Sequence, residues 1–261
     1  MLLYFSGTGN TRYCAELLGK HIGETPVEMT SAMLRQPAHA DIQSADSRII
    51  FMFPTYSWGI PPVVKRLIKK ARIHFPADAV VWMVTTCGDD CGLIAAEWGS
   101  LMNEVRLKSG ACFSVQMPNT YVNMKGFDTD PEELAKRKIE AAAPRVKAIA
   151  DAIAKGLPCA DEVVEGRHPW IKTNIIRPYF DRFCMSARKF EVDAERCNAC
   201  GLCMRSCPLE NIVPDTGMRP TWGPNCALCM RCYHLCPNHA INYGRETENK
   251  GQYRYFLSKR K

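Results

Sequence analysis

Two runs of cysteine constrain this chain more than anything else in it: Cys197-x-x-Cys200-x-x-Cys203-x-x-x-Cys207-Pro208 and Cys226-x-x-Cys229-x-x-Cys232-x-x-x-Cys236-Pro237. The second repeats the spacing of the first residue for residue, and the two take eight of the 14 cysteines in 261 residues. They do not read as a disulfide framework. Neighbouring cysteines within a run would be strained if paired, and Met1 to Phe5 leads straight into Ser6-Gly7-Thr8-Gly9, with neither the basic stretch nor the apolar core of a secretion signal. A cytoplasmic location is therefore expected. No uninterrupted apolar run approaches the roughly 18 to 20 residues that span a bilayer, so no membrane association is expected. With 46% hydrophobic and 23% charged residues, the chain can build the cores of one or two globular domains.

The spacing decides between metals. Structural zinc takes four ligands, usually as two separated pairs, and gives the third cysteine of each run no use. The pattern instead resembles the signature of bacterial two-cluster ferredoxins, whose fourth cysteine serves the other cluster. That resemblance implies two [4Fe–4S] clusters, one held by Cys197, Cys200, Cys203 and Cys236 and the other by Cys226, Cys229, Cys232 and Cys207. Pro208 and Pro237 suit the first position of a helix, so short helices are expected over Leu209 to Val213 and Asn238 to Tyr243.

The first half alternates apolar runs of strand length with helical patterns. Leu2 to Phe5, Val27 to Met29, Ile49 to Phe53, Val80 to Thr85 and Cys112 to Met117 are candidate strands, with helices over Thr11 to Ile22, Pro62 to Ile73, Leu93 to Leu107 and Pro131 to Lys155. Such alternation predicts an α/β fold with a parallel five-stranded sheet, whose ligands bind at the carboxyl ends of the strands.

Three loops at that end carry candidate chemistry. Ser6-Gly7-Thr8-Gly9-Asn10-Thr11 combines small residues, hydroxyls and a helix N-terminus, the makings of a phosphate cradle, without matching the Walker or dinucleotide motifs. Pro54-Thr55-Tyr56-Ser57-Trp58-Gly59 offers two aromatics to a flat ring system. Thr86-Cys87-Gly88-Asp89 continues into Asp90-Cys91-Gly92, where glycines admit a close ligand and the acids set a negative field.

These loops resemble those of flavodoxins, so the whole chain is similar to a flavodoxin fused to a two-cluster ferredoxin. The resemblance implies a doubly wound sheet of order 2-1-3-4-5, FMN with its phosphate on residues 6–11, an aromatic of residues 54–59 against the ring, and residues 86–89 on the far side. It also implies that the peptide before Gly59 can reorient toward the flavin. Flavodoxins usually carry an aromatic a few residues beyond the third loop, absent here, which leaves the second flavin face open, or covered by Tyr121 or by the cluster domain.

The expected organisation is a flavodoxin-like domain over 1–157, a connector over 158–190, a small α+β ferredoxin-like domain over 191–245 and a tail over 246–261. Trp170, Tyr179, Phe180 and Phe183 are expected to pack between the domains. Cys14, Cys112, Cys159 and Cys184 read as small buried or incidental residues. The formal charge of +7 falls close to zero once about −2 for each cluster and about −1.5 to −2 for a phosphate are counted, which removes the case for nucleic acid. The bases of Lys65 to Arg72 and of Lys259-Arg260-Lys261 then read as a solvated face or a docking surface for an acidic redox partner. No acid, base or nucleophile has a partner at useful spacing. The expected function is a soluble electron carrier between FMN and two clusters, exchanging with a partner protein or a small-molecule acceptor. A flavin-dependent reductase fed by the clusters and a redox-sensitive regulatory module are the alternatives.

Overall fold

Residues 1–156, 158–183 and 186–255 are described by the computed structural model. Cys184 and the Lys259-Arg260-Lys261 stretch lie outside the described residues.

In the first unit the continuous apolar runs become strands. β1 (Leu2–Tyr4) leads into helix α1 (Asn10–Ile22) and β2 (Val27–Glu28), followed by α2 (Ser31–Arg35), β3 (Asp41–Gln43), β4 (Arg48–Pro54), α3 (Pro62–Lys70), β5 (Arg72–His74), β6 (Val80–Cys87), α4 (Ile94–Glu104), β7 (Lys108–Gln116) and α5 (Glu132–Lys155). The main sheet is parallel with order β2-β1-β4-β6-β7, which is the expected 2-1-3-4-5 when its own strands are counted; β3 and β5 pair separately. Along β4 the side chains alternate. Ile49, Phe51 and Phe53 enter the layer covered by α3 and α4, while Ile50 and Met52 enter the layer covered by α1 and α5. Both faces are thus buried, as a parallel sheet requires.

The connector does not sit between the domains. Residues 161–164 run along β7, where Ser114 N–H donates to Glu162 O at 3.1 Å and Glu162 N–H to Cys112 O at 2.8 Å. Residues 169–183 then form one helical segment, α6 (Pro169–Ile171), a π turn (Lys172–Ile176) and α7 (Arg177–Phe183). Of its aromatics only Phe180 is buried; Trp170, Tyr179 and Phe183 are more than 60% exposed. Arg177 explains the orientation, because its guanidinium is drawn into the first unit by Glu97 and the Ile60 carbonyl and turns the opposite face outward.

The second unit contains β8 (Phe190–Val192), α8 (Leu202–Arg205), β9 (Ile212–Pro214), β10 (Pro220–Trp222), α9 (Arg231–Leu235) and β11 (Ile241–Tyr243), with β8 antiparallel to β11 and β9 to β10. Pro208 and Pro237 open no helix. After each the chain makes one turn, Glu210 and His239 adopt positive φ of 47° and 51°, and the next strand begins. The Asn211 and Ala240 N–H groups donate instead to the Cys207 and Cys236 sulfurs, at 3.4 and 3.2 Å.

The two units share their packing. Leu209 and Ala227 belong to the apolar cluster under α3 and α4, Val122 to that of the second unit, and Tyr253 to that under α1 and α5. Residues 246–255, a tail in the sequence reading, lie across both: Lys250 Nζ donates to Val122 O at 2.7 Å and Tyr253 N–H to His234 Nδ1 at 3.1 Å. Among the described residues no helix is long and apolar enough to cross a membrane.

Candidate functional site

A cavity of about 410 Å³ opens at the carboxyl end of the main sheet, within the size range of small-molecule sites. Gly7, Thr8, Asn10 and Thr11 form one wall. Ser6 does not face it, because its hydroxyl oxygen accepts the N–H groups of Gly9 and Arg12 at 3.2 and 3.3 Å and so shapes the loop from behind. Gly9 is also withdrawn, taking the left-handed conformation (φ 99°) from which α1 starts. The first-turn N–H groups of α1 have no intrahelical acceptors and favour an anion. Thr8 Oγ1 meets Thr120 Oγ1 at 3.2 Å, Thr11 Oγ1 meets Thr86 Oγ1 at 2.7 Å, and Asn10 Nδ2 donates to Pro118 O at 2.9 Å while its buried Oδ1 has no partner. A Cβ on Gly7 would lie 2.9 Å from both the Cys229 Cβ and the Tyr56 hydroxyl, so only glycine lets the loop approach them.

Pro54, Thr55, Tyr56, Ser57 and Trp58 form the second wall. Tyr56 and Gly59 exchange backbone bonds of 3.0 and 3.1 Å, and Ser57 and Trp58 between them take positive φ of 47° and 60°. Gly59 itself is not left-handed and does not line the cavity. Its missing side chain makes room for the Arg177 guanidinium, and its N–H is already bonded to Tyr56 O, so the expected reorientation of the peptide before it has no support here.

Thr86, Cys87, Gly88 and Asp89 line the cavity at the end of β6 and just beyond it, and the acids of this loop are partly opposed by lysines. Asp89 lies 3.5 Å from Lys138, and Asp90 is paired at 2.5 Å with Lys172, whose ammonium also stands 5.6 Å from the centre of the Trp58 ring. Opposite, Tyr121, Phe127 and Phe180 form an aromatic group with ring centres 5.2 and 6.1 Å apart, and residues 227–230 of the second unit complete the wall. Tyr121 and the second unit therefore both border the cavity, on the side left open to them by the lack of an aromatic just beyond Asp89.

The most consequential residue missed in the sequence is Arg231. It is 5% exposed and donates to the carbonyls of Gly7, Ser6 (2.6 Å) and Ser206 (3.0 Å), tying the first loop to the second cysteine run. Comparing the runs would have found it, since the equivalent position in the first is Leu202. Glu97 was also missed. Burial opposes its charge, but Arg177, the Ile60 N–H at 2.9 Å and Lys65 at 2.9 Å outweigh burial and hold the carboxyl below its ordinary range.

The eight cysteines fall into two groups. Cys197, Cys200, Cys203 and Cys236 surround one small cavity, and Cys207, Cys226, Cys229 and Cys232 another. The fourth cysteine of each run thus stands with the first three of the other. Cys229 also lines the large cavity, whereas Cys200 is exposed.

Residues 1–89 match the family model for a flavodoxin domain and residues 196–241 that for a 4Fe-4S dicluster domain. No curated protein matches the chain. Among solved structures, a putative flavoprotein from Bacteroides uniformis ATCC 8492 is similar at 15% identity over 54% of this chain and 96% of its own, with a TM-score of 0.35. The flavodoxin of Streptococcus pneumoniae TIGR4 is similar at 15% identity over 57% and 97%, with a TM-score of 0.33. Rubredoxin oxygen:oxidoreductase from Desulfovibrio gigas is similar at 13% identity over 58% and 35%, with a TM-score of 0.29.

Proposed function

From a chain that joins a flavodoxin domain to a 4Fe-4S dicluster domain, we propose an electron carrier in which the second cysteine set relays between the first set and FMN. The observation that carries this reading is Cys229, which belongs to one cysteine group and to the wall of the large cavity.

The residues present fit the groups. Four thiols enclose each small cavity, and among the described residues no three His, Cys, Asp or Glu groups converge on a position for one ion, so the donor sets suit a multi-atom cluster. Cys207, Cys226 and Cys236 each accept a backbone N–H, the kind of contact that tunes a cluster's potential. In the large cavity the α1 N-terminus and the Thr8 and Thr11 hydroxyls suit a phosphate, the unpartnered Asn10 Oδ1 suits a sugar-chain hydroxyl, and Tyr56, Trp58 and Tyr121 suit a ring system. When bound, FMN exchanges two electrons and each cluster one, which lets one protein convert between the two currencies.

The chain's own part is placement. Arg231 fixes the phosphate loop against the cysteine run, and the shared apolar clusters hold both units in one relation. Cys200, exposed on the far group, gives an outside partner its point of entry. Anaerobically reconstituted protein should contain one FMN and about eight iron and eight acid-labile sulfide per chain. Stoichiometric zinc without sulfide, or no retained FMN, would overturn the reading.

A second reading has one observation in its favour. Met124 and Phe127 at the cavity rim are 39% and 38% exposed, an apolar entrance suited to a small-molecule acceptor reduced by the flavin. Saturable turnover of such an acceptor would support it.

A further inference from the structure

Helix α6, the π turn and α7 carry an apolar face that nothing covers among the described residues. Trp170, Ile171, Ile175, Ile176, Tyr179 and Phe183 are between 43% and 64% exposed, while Arg177 and Phe180 hold the opposite side against the first unit. Ile171, Ile175, Tyr179 and Phe183 follow one another at every fourth position. Such a row gains about 40° per step on an α-helix and would wind out of line. The π turn, closed by the Arg177 N–H to Lys172 O, offsets that drift and keeps the row on one side. The Tyr179 and Phe183 rings meet with their centres 5.0 Å apart.

The face continues round the mouth of the large cavity. Ile176 lines that cavity, and so do the exposed Met124 and Phe127 of the loop Met124-Lys125-Gly126-Phe127. Positive charge flanks it. The Arg182 guanidinium stands 5.6 Å from the centre of the Phe183 ring, Lys125 lies between Met124 and Phe127, and Arg66 and Lys70 of α3 share a groove with Arg177 and Asp181 of α7. Lys65 and Lys69 in that groove are neutralised by Glu97 and Glu104, but Arg66, Lys70, Lys125 and Arg182 are exposed and form no ion pair among the described residues. The nearby acids are engaged: Asp181 lies 3.4 Å from Arg177 Nε, and the Asp128 carboxylate accepts the Thr129 and Gly251 N–H groups at 2.7 and 3.0 Å.

We propose that this face seats the chain on the surface of a bilayer containing anionic lipid. Large aromatic and aliphatic side chains meet the acyl boundary, and the bases beside them meet the headgroups. A docked protein would call for about one hydrogen bond per 100 to 200 Å² of contact. The row offers only the polar tips of Trp170 and Tyr179, the two residue types that settle at headgroup level, and the Asn174 amide is turned back to Trp170 O at 3.0 Å. A bilayer asks for no more. Contact with its surface needs no spanning helix, and it turns the mouth of the large cavity toward the membrane. The proposal does not depend on what fills that cavity.

The test is flotation of the full, cofactor-loaded chain, kept anaerobic at physiological salt, with vesicles of phosphatidylcholine alone or mixed equally with phosphatidylglycerol. Partition onto the mixed vesicles should be at least about tenfold stronger. Lys70→Gln and Lys125→Gln should each weaken it about fivefold, and Tyr179→Ser with Phe183→Ser at least about tenfold. Iron content and circular dichroism check that these surface variants fold. In the wild type, brominated acyl chains should quench tryptophan fluorescence, and Trp170→Leu should abolish the quenching. A chain that stays below the mixed vesicles, binds neutral vesicles equally well or keeps its quenching in Trp170→Leu overturns the proposal. So does a chain that ignores vesicles and instead pairs with itself or with an acidic protein in a manner lost in Tyr179→Ser, which would make the face a protein contact.

Discussion

Arg231, the residue before the last of the three closely spaced cysteines in the second run, donates its Nε hydrogen to the carbonyl of Gly7, 224 positions earlier in the chain. With further bonds to Ser6 and Ser206, one buried guanidinium holds the loop of residues 6–11 and the second unit in a single relation. Hydrogen bonds to a charged group are worth about 1.5 to 3 kcal/mol each, and removal of the arginine leaves buried carbonyls without donors. Arg231→Leu should therefore weaken FMN binding at least about tenfold, or about 1.4 kcal/mol. Fluorescence titration of the apoflavoprotein checks this, and unchanged affinity would show that the contact does not shape the loop.

The loop proposed to hold the phosphate contains no lysine, so selectivity would fall to the loop amides, Thr8 and Thr11. FMN should bind more tightly than riboflavin by at least one charge-assisted bond, about 1.5 to 3 kcal/mol. Calorimetry with both ligands measures the difference. Thr8→Val should reduce it while leaving cluster content unchanged.

Cys236 stands with Cys197, Cys200 and Cys203, away from its neighbours in sequence. Cys236→Ala should damage the cluster on the first run and spare the one on Cys226, Cys229 and Cys232. Mössbauer and EPR spectra of the variant decide between this pairing and the reverse.

Lys172 lines the cavity and is neutralised by Asp90. Asp90→Asn would free a cation beside the ring and favour added negative charge, by on the order of 1 kcal/mol at a partly solvated site. The midpoint of flavin reduction should rise while the cluster potentials stay nearly fixed. An unchanged flavin midpoint would place Lys172 out of electrostatic reach.

Glu97 has a folded-state carboxyl below its ordinary value of 4.5, and therefore adds stability that is present above pH 4.5 and lost as pH falls through the lower folded value. Glu97→Gln should remove part of the acid sensitivity seen in anaerobic denaturant titrations. Arg177→Ala leaves that carboxylate buried without its guanidinium and should cost about 3 to 5 kcal/mol at neutral pH.

The strands of the sheet were legible because Leu2–Tyr4, Arg48–Pro54 and Val80–Cys87 are continuous apolar runs of strand length between helical patterns, whereas their order came from the resemblance to flavodoxins. The loops were legible because phosphate and ring binding need small, hydroxyl and aromatic residues close together in sequence. Pairings across distance were not. Asp90 with Lys172 and Glu97 with Arg177 join positions 82 and 80 apart, and nothing local in Gly88-Asp89-Asp90 tells an unopposed acid from a neutralised one. The aromatics of residues 170–183 misled because an exposed ring and a buried ring look alike in sequence. Arg177, which sets the face that turns inward, acts through groups far along the chain.

In the proposed function the cysteine group containing Cys229 relays electrons to FMN. Cys226 belongs to that group but does not line the large cavity, so Cys226→Ala can remove its cluster while leaving the flavin wall in place. The deciding measurement is single-turnover flavin reduction in a stopped-flow mixer, with a reduced ferredoxin too large to enter the cavity as donor and FMN content matched between proteins. The variant should reduce its flavin at least about a hundredfold more slowly than the wild type, equivalent to about 2.7 kcal/mol of barrier. Equal rates would show that the cluster held by this group is not the relay.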